Sequence, residues 1–399
     1  MIDVPTSQRP IKLCRLATIV QTFQTLLREQ LQAMAEAGFQ VTLVCSPDPA
    51  LRDIAEQWGF SYHAIPMARK PDPLHDLASL RQLVRVFKQQ RFDLVHSSTP
   101  KAGLLTAMAG KLARTPVRIH TYTGQPWVEM NGAGREIVKR CDWLIGRLNT
   151  HCYADSHSQS DFLIQEGVIR SSRITVLGAG SIAGVDLGRF DPAKWGNETA
   201  LATRRELGLD PQSVVVLFVG RVTKDKGVVE LIEAFNSLGS RTDRPVDLVL
   251  VGPLEPDRDP LPQETLDEIK RNPRVHAVGF TREPEKYMAA ADIFCLPSYR
   301  EGFGSVVIEA AAMGTPSVAT TVTGLVDAVV DGQTGLLVPA KQVEALEQAL
   351  LRLIENPELR AEMGQFARTR AVRDFDARRI NGLVLDEYRR WAESRVNRA

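Results

Sequence analysis

Two doubly wound α/β domains in series are the architecture this sequence predicts, and three observations carry it. Short apolar runs of strand length alternate with helix-like segments through both halves, the order that builds a parallel sheet with helical crossovers. A stretch from 178 to 212, rich in Gly, Asp and Pro and poor in periodicity, separates the two series and reads as their connection. At 399 residues the chain also exceeds one ordinary core. The domains are set at 1–185 and 186–376, and the cleft between them is expected to hold the substrates.

In chain order, residues 1–10 are polar and expected to fray, with no secretory apolar region. Strands are expected at 13–20, 40–46, 61–67, 93–98, 117–122, 151–155 and 174–177. The second series is 214–220, 247–252, 275–280, 293–297 and 316–320. Within the first series, 135–148 reads as a helix whose Ile137, Cys141, Leu144, Ile145 and Leu148 form one apolar stripe for the core. Trp143 falls on its opposite side between Lys139 and Arg147, with Arg140 beside them. That composition suits a lipid headgroup surface, and it equally suits a tryptophan packed on a neighbouring segment. The last helix, 377–394, carries Tyr388 and Trp391.

Composition narrows the function. A formal net charge of +1 argues against a nucleic-acid binder that works through a broadly basic surface. No apolar run reaches the ~20 residues needed to span a bilayer. The five cysteines, Cys14, Cys45, Cys141, Cys152 and Cys295, have no metal-ligand spacing. They fit small buried apolar residues in a reduced, cytoplasmic protein.

The most informative segment is SYREGFGSVVIEAAAMG, from Ser298 to Gly314. An apolar strand precedes it, a loop with glycines at 302 and 304 follows, and Gly304-Ser305 opens a helix that Gly314 ends. Glu309 stands inside this helix among Val306, Val307, Ile308, Ala310, Ala311 and Met313. A buried carboxylate without a partner is strongly unfavourable, so a polar group, a ligand included, is expected to meet it. No capping box consumes Glu309, because the residue three after Ser305 is Ile308. The flexible loop brings free N–H groups and the positive helix end towards an anion, with Glu301 beside it.

A second segment points at the same anion. Val214 to Gly220 reads as a buried strand running into Arg221, after which Lys224, Asp225, Lys226 and Gly227 lead into a helix over 228–238. Open α/β sheets bind ligands at the carboxyl edge of their strands, so Arg221, Lys226 and the helix after Gly304 together could clamp a diphosphate. Lys226 alone would read as a solvated lysine.

Gly220-Arg221 with Lys226-Gly227, then Glu301-Gly-Phe-Gly and Glu309, resemble the retaining nucleotide-sugar glycosyltransferases of family 4, which have the GT-B fold of two Rossmann-like domains. The resemblance covers nearly the whole chain, including the run DGQTGLLVP from Asp331. It implies that 186–376 binds the donor and 1–185 the acceptor, with 377–399 crossing back onto the acceptor domain. It further implies that Arg221 and Lys226 hold the donor diphosphate, Glu309 the ribose and Glu301 the hydroxyls of the transferred sugar. The backbone amides of Phe303, Gly304 and Ser305 would complete the anion site, with Gly220 alongside and the base read around 278–280, near Phe280.

The first half departs from the family pattern at three places. Gln21-Thr22-Phe23-Gln24-Thr25 stands where many relatives have a glycine pair, so side chains such as Gln21 and Thr22 must substitute. Thr123 precedes Gly124 where relatives often have a histidine, while His120 lies three residues earlier. His120 stands as a catalytic candidate beside the alternative of a core histidine. Ala183 stands where an Asn is common. The runs HSSTPKAG from His96 and HTYTG from His120 resemble bacterial enzymes that extend saccharides carried on a polyprenyl diphosphate. Lys101 could then meet an acceptor phosphate or simply be solvated.

The reaction this implies moves a sugar from a nucleotide diphosphate sugar, in preference a UDP-sugar, to a lipid-linked glycan with retention, at the inner face of the membrane. No cofactor or metal is expected, although Asp257-Arg-Asp259 has the spacing of a diphosphate-metal motif. The alternatives are an epimerase of the same fold and a non-catalytic nucleotide-sugar-binding protein.

Overall fold

The computed structural model describes residues 9–67, 72–256 and 259–396. The expectation of a frayed start therefore falls largely outside the described residues, as does Asp257 of the Asp257-Arg-Asp259 motif. The chain divides into two compact units, one of 1–155, 160–178 and 378–399, the other of 156–159 and 179–377.

The first unit holds a seven-stranded sheet in the order β3-β2-β1-β4-β5-β6-β7. Its strands are β1 (Lys12–Leu16), β2 (Gln40–Cys45), β3 (Ser61–Ala64), β4 (Leu94–Ser97), β5 (Val117–Tyr122), β6 (His151–Ala154) and β7 (Ile174–Val176). The second unit holds six strands in the order β10-β9-β8-β11-β12-β13. These are β8 (Val214–Val219), β9 (Val246–Val251), β10 (Val275–Gly279), β11 (Ile293–Leu296), β12 (Ser317–Thr320) and β13 (Gly335–Val338). Every pairing within the two sheets is parallel.

Parallel sheets covered by helices on both faces need strands that are apolar on both sides, and β8 meets this with VVVLFV, all six residues buried. Burying each such side chain contributes about 2 kcal/mol relative to leaving it exposed. In both sheets the first strand lies inside the order, so the chain winds outward in one direction and then the other. The reversal falls between β1 and β4 in the first unit and between β8 and β11 in the second. Loops leaving those strand pairs diverge there, which opens the crevice where α/β sheets take ligands.

The helix Ala377–Val396 packs on the first sheet, as expected. Its Tyr388 is fully buried and its hydroxyl accepts from Arg15 Nη1 of β1 at 2.5 Å. Arg15, also fully buried, donates to Ser98 Oγ at 3.3 Å and meets His96 Nδ1. Burial, reinforced by Arg15, holds the His96 pKa well below its ordinary value, so its ring is neutral there. Glu387 accepts from Tyr153 at 2.6 Å, and Trp391 packs against His151 with ring centroids 5.1 Å apart.

Four expectations need correction. The first strand stops at Leu16, not at 20, because the chain turns into the short helix Gln21–Gln24. The stretch 178–212 is no bare connection, since it carries the helices Pro192–Trp195 and Asn197–Glu206. β13 was not foreseen; Gly335 has to lie there because a Cβ would come within 2.1 Å of the Ser317 carbonyl oxygen on β12. Finally, the helix Gly132–Leu148 buries a face displaced from the expected stripe: Asp142, Ile145 and Gly146 are buried while Ile137 is 63% exposed. The cause is Trp127, buried in the turn before this helix, whose Nε1 donates to Asp142 Oδ2 at 2.7 Å and so draws that carboxyl inward.

Candidate active site

The second unit brings Arg221, Lys226 and Glu301 to one edge of its sheet. β8 and β11 are neighbours, and both segments emerge from their carboxyl ends at the reversal of strand order. Two glycines set how closely they meet. Gly227 has φ +70°, and a Cβ there would lie 2.0 Å from the Pro297 carbonyl oxygen, so the turn after β8 presses directly on the end of β11. Gly252, after β9, would place a Cβ 1.7 Å from the Gly220 carbonyl oxygen. Only the missing side chains allow these backbone approaches.

Lys226 Nζ consequently pairs with Glu301 Oε1, whose other partner is the Ser298 hydroxyl at 2.9 Å. Arg221 pairs with Asp225 Oδ2 at 3.1 Å and Glu255 Oε2 at 3.3 Å. Arg300 reaches the same Asp225 oxygen at 3.4 Å. Burial works against the charge of Asp225, but the Thr223 hydroxyl and the three cations Arg221, Lys226 and Arg300 outweigh it, and its pKa lies below the ordinary carboxylate value. Asp225, Glu255 and Arg300 were not identified from the sequence as members of the site. Arg300 adjoins Glu301 and Asp225 adjoins Lys226, which is the only signal the sequence offers for them.

The helix Ser305–Ala312 starts at Gly304, whose φ is +87°. A Cβ at Gly304 would lie 2.5 Å from Leu325 Cδ2, and one at Gly324 would lie 2.6 Å from the Gly302 carbonyl. The loop is thereby held between β11 and the segment after β12. Among the described residues, the backbone N–H groups of Phe303, Gly304 and Ser305 find no acceptor. They sit at the positive end of the helix, where an anion is favoured. The Phe303 side chain is buried against Phe375, ring centroids 5.2 Å apart, which anchors the loop from below.

Glu309 lies apart from that ion-pair network. Its carboxyl forms no hydrogen bond or ion pair with a described residue, and burial pushes its pKa up to about 7, with Arg189 opposing and Glu285 reinforcing the rise. Arg189 is itself held by Glu285 at 2.7 Å. No polar side chain among the described residues meets it as a partner, and the side chain is only partly buried where the apolar surroundings predicted full burial. Phe280 stands 58% exposed just past β10.

The first-unit candidates fare differently. His120 is a correction: it is 2% exposed, its Nδ1 meets Ser97 Oγ at 2.9 Å, and its ring lies on Gly103, where a Cβ would come within 2.5 Å. Burial, opposed by a bond involving Ser97, pushes its pKa down to about 3, so in this arrangement the ring is neutral and has the surroundings of the core-histidine alternative. Lys101 is neither solvated nor free, because its Nζ meets both Asp76 oxygens at 2.7 and 2.6 Å. Thr123 donates to the Ser98 carbonyl at 3.1 Å. Gln21 is exposed and Thr22 partly buried, both in the short helix Gln21–Gln24 that follows β1 at the reversal of strand order.

Among the described residues no group of three or more His, Cys, Asp or Glu is placed to hold a metal ion, and no helix is long and apolar enough to cross a membrane. Asp259 instead accepts from the Asp225 backbone N–H at 2.5 Å.

Comparison with known proteins bears on the family and the fold. The family model described as glycosyl transferases group 1 matches residues 201–370, and that of a glycosyl transferase 4-like domain matches 23–180. The capsular polysaccharide biosynthesis glycosyltransferase CapM of Staphylococcus aureus is 29% identical over 92% of this chain and 94% of its own. The Escherichia coli UDP-Gal:alpha-D-GlcNAc-diphosphoundecaprenol alpha-1,3-galactosyltransferase is 24% identical over 94% of this chain and 95% of its own. Among solved structures, Anabaena HepE in complex with UDP and glucose shares the fold with a TM-score of 0.79, at 22% identity over 95% of this chain and 99% of that one. The two matched models together take in most of both units, and the chain belongs to the group 1 glycosyl transferases with a glycosyl transferase 4-like amino-terminal domain, on the GT-B fold.

Proposed function

We propose that this glycosyltransferase moves a sugar from a UDP-sugar to a hydroxyl of a polyprenyl-diphosphate-linked saccharide, retaining the anomeric configuration and using no metal, in bacterial surface polysaccharide synthesis. The observation that carries the donor reading is the meeting of Lys226 and Glu301 beside Arg221 and the unbonded amides of 303–305. A diphosphate would compete with Asp225, Glu255 and Glu301 for these cations, and Glu301, once released from Lys226, would accept from hydroxyls of the transferred sugar. Glu309 would accept from the ribose hydroxyls, its ionised form favoured by those bonds.

In the reaction, the bond from the sugar's anomeric carbon to the donor phosphate oxygen breaks, and its electron pair leaves with UDP. The acceptor oxygen forms the new bond on the same face, and its proton passes to the departing phosphate oxygen. Arg221 and Lys226 stabilise the charge that develops on the diphosphate, an effect realised chiefly in the transition state. The acceptor class rests on the diphosphoundecaprenol substrate in the name of the E. coli relative. The uridine preference rests on that same name and on the UDP in the Anabaena complex.

Peripheral attachment to the inner membrane face belongs to this proposal. Lys139 does not contribute as expected, because it pairs with Glu166 at 2.6 Å and lies over the buried Trp127. Trp143 and Arg147 remain exposed.

The test incubates the protein with a panel of UDP-sugars, with and without a membrane lipid extract, beside a folded Lys226→Ala variant. Sugar transfer should require the extract and fall by roughly a hundredfold or more in the variant. Donor conversion without any acceptor would point to an epimerase, donor binding without turnover to a sensor, and undiminished transfer by the variant would reject the role of Lys226.

A further inference from the structure

The first unit carries a second concave surface, on the edge of its sheet opposite the segments that hold Gln21, Thr22 and Thr123. It is a groove of about 1050 Å³ lined by the ends of the helices Pro100–Leu112 and Gly132–Leu148 and by the segment 164–173. All three precede strands β5, β6 and β7 respectively, which places the groove at the amino edge.

Four cations line it, Lys111, Arg147, Arg170 and Arg173, and no acidic residue does. None of the four forms an ion pair with a described residue. This is a local imbalance in a chain with 49 basic and 48 acidic residues. Arg173 is fixed in place, since its Nη1 donates to the carbonyls of Gly146 and Arg147 at 3.3 and 3.1 Å. Trp143 is 47% exposed at the groove, with the Arg147 guanidinium 5.9 Å from its ring centroid, while Ile164 and the buried Ile169 supply an apolar lining.

We propose that this groove seats the phosphate headgroups of an anionic lipid surface. Four unneutralised cations match phosphate charge, and an exposed indole beside an apolar lining matches the boundary between headgroups and acyl chains. A nucleic acid would match the charge alone, and the near-zero net charge of the chain gives it no wider basic surface to follow. The inference deepens the peripheral attachment proposed above by giving it a place, and it does not involve the donor residues.

The experiment measures sedimentation of the full chain with phosphatidylcholine vesicles, with and without phosphatidylglycerol. The expected result is binding to the anionic vesicles only. The double variant Lys111→Gln with Arg170→Gln should lower that partition by about thirtyfold, each basic residue at an anionic surface counting for about fivefold. Both side chains are exposed, so the unfolding midpoint should hold, as should UDP-sugar turnover on an acceptor in detergent. Trp143→Ala should weaken vesicle binding as well. Equal binding by wild type and double variant, or none to anionic vesicles, overturns the proposal. So does saturable binding of glycerol 1-phosphate or a random oligonucleotide through these residues when vesicles are not bound. Vesicle binding that persists while sugar transfer fails would contradict the transferase details and leave the groove standing.

Discussion

Glu309→Gln should make the protein more stable and a poorer enzyme, with a pH dependence that the structure fixes. In the native state burial raises this carboxyl from an ordinary 4.5 to about 7. Between those values the folded chain holds a proton that the unfolded chain has lost, so stability falls as pH rises. The stabilising share is whole below 4.5 and gone once pH has passed about 7. The rise corresponds to about 3 kcal/mol set against the ionised native form. Gln keeps the shape and cannot ionise, so the gap between variant and wild type should widen by about 3 kcal/mol in favour of Gln between about pH 4.5 and about pH 8. Asp142 and Asp155, which burial raises to about 7 and about 8, slope the same way in both proteins and cancel in the difference. Urea unfolding across that range measures it. The donor KM should meanwhile rise by about tenfold or more, since a charge-assisted bond to ribose is lost. A difference flat with pH would refute the claim that Glu309 is desolvated, and an unchanged KM would refute its contact with donor.

Other perturbations probe the scaffold and the chemistry. Gly227→Ala should cost at least about 2 kcal/mol, from a strained left-handed residue and a clash with the Pro297 carbonyl, and raise the donor KM by displacing Lys226; an unchanged melting temperature would contradict the packing. Tyr388→Phe removes an acceptor from buried Arg15 and should destabilise the first unit by about 2 kcal/mol, read as a lower urea midpoint, without changing donor binding. Transfer should continue in excess chelator; activity lost there and restored by a divalent cation would contradict the assignment of charge stabilisation to Arg221 and Lys226.

The sequence exposes what is local and periodic. β8 reads as VVVLFV and the helix Val228–Leu238 follows within the expected bounds, because apolar runs and glycine punctuation are local signals. Lys226 and Glu301, by contrast, are 75 residues apart; the motif implied only that both serve one donor site, and their direct ion pair was not legible. The misses come from partners that lie far along the chain. Asp76 neutralises Lys101 from 25 residues away, and no periodicity reports that. Trp127 turns Asp142 inward against the hydropathy of its helix, which displaced the expected stripe. His120 has the residue type of a catalyst and the surroundings of a core, and only burial distinguishes the two.

The most direct measurement is a crystal structure of the protein with UDP or an intact UDP-sugar. The account predicts the diphosphate within hydrogen-bonding distance of Arg221, Lys226 and the amides of 303–305, with the ribose on Glu309 and Lys226 drawn away from Glu301. A nucleotide bound elsewhere, or one that leaves the Lys226 to Glu301 pair intact and Glu309 untouched, would contradict it.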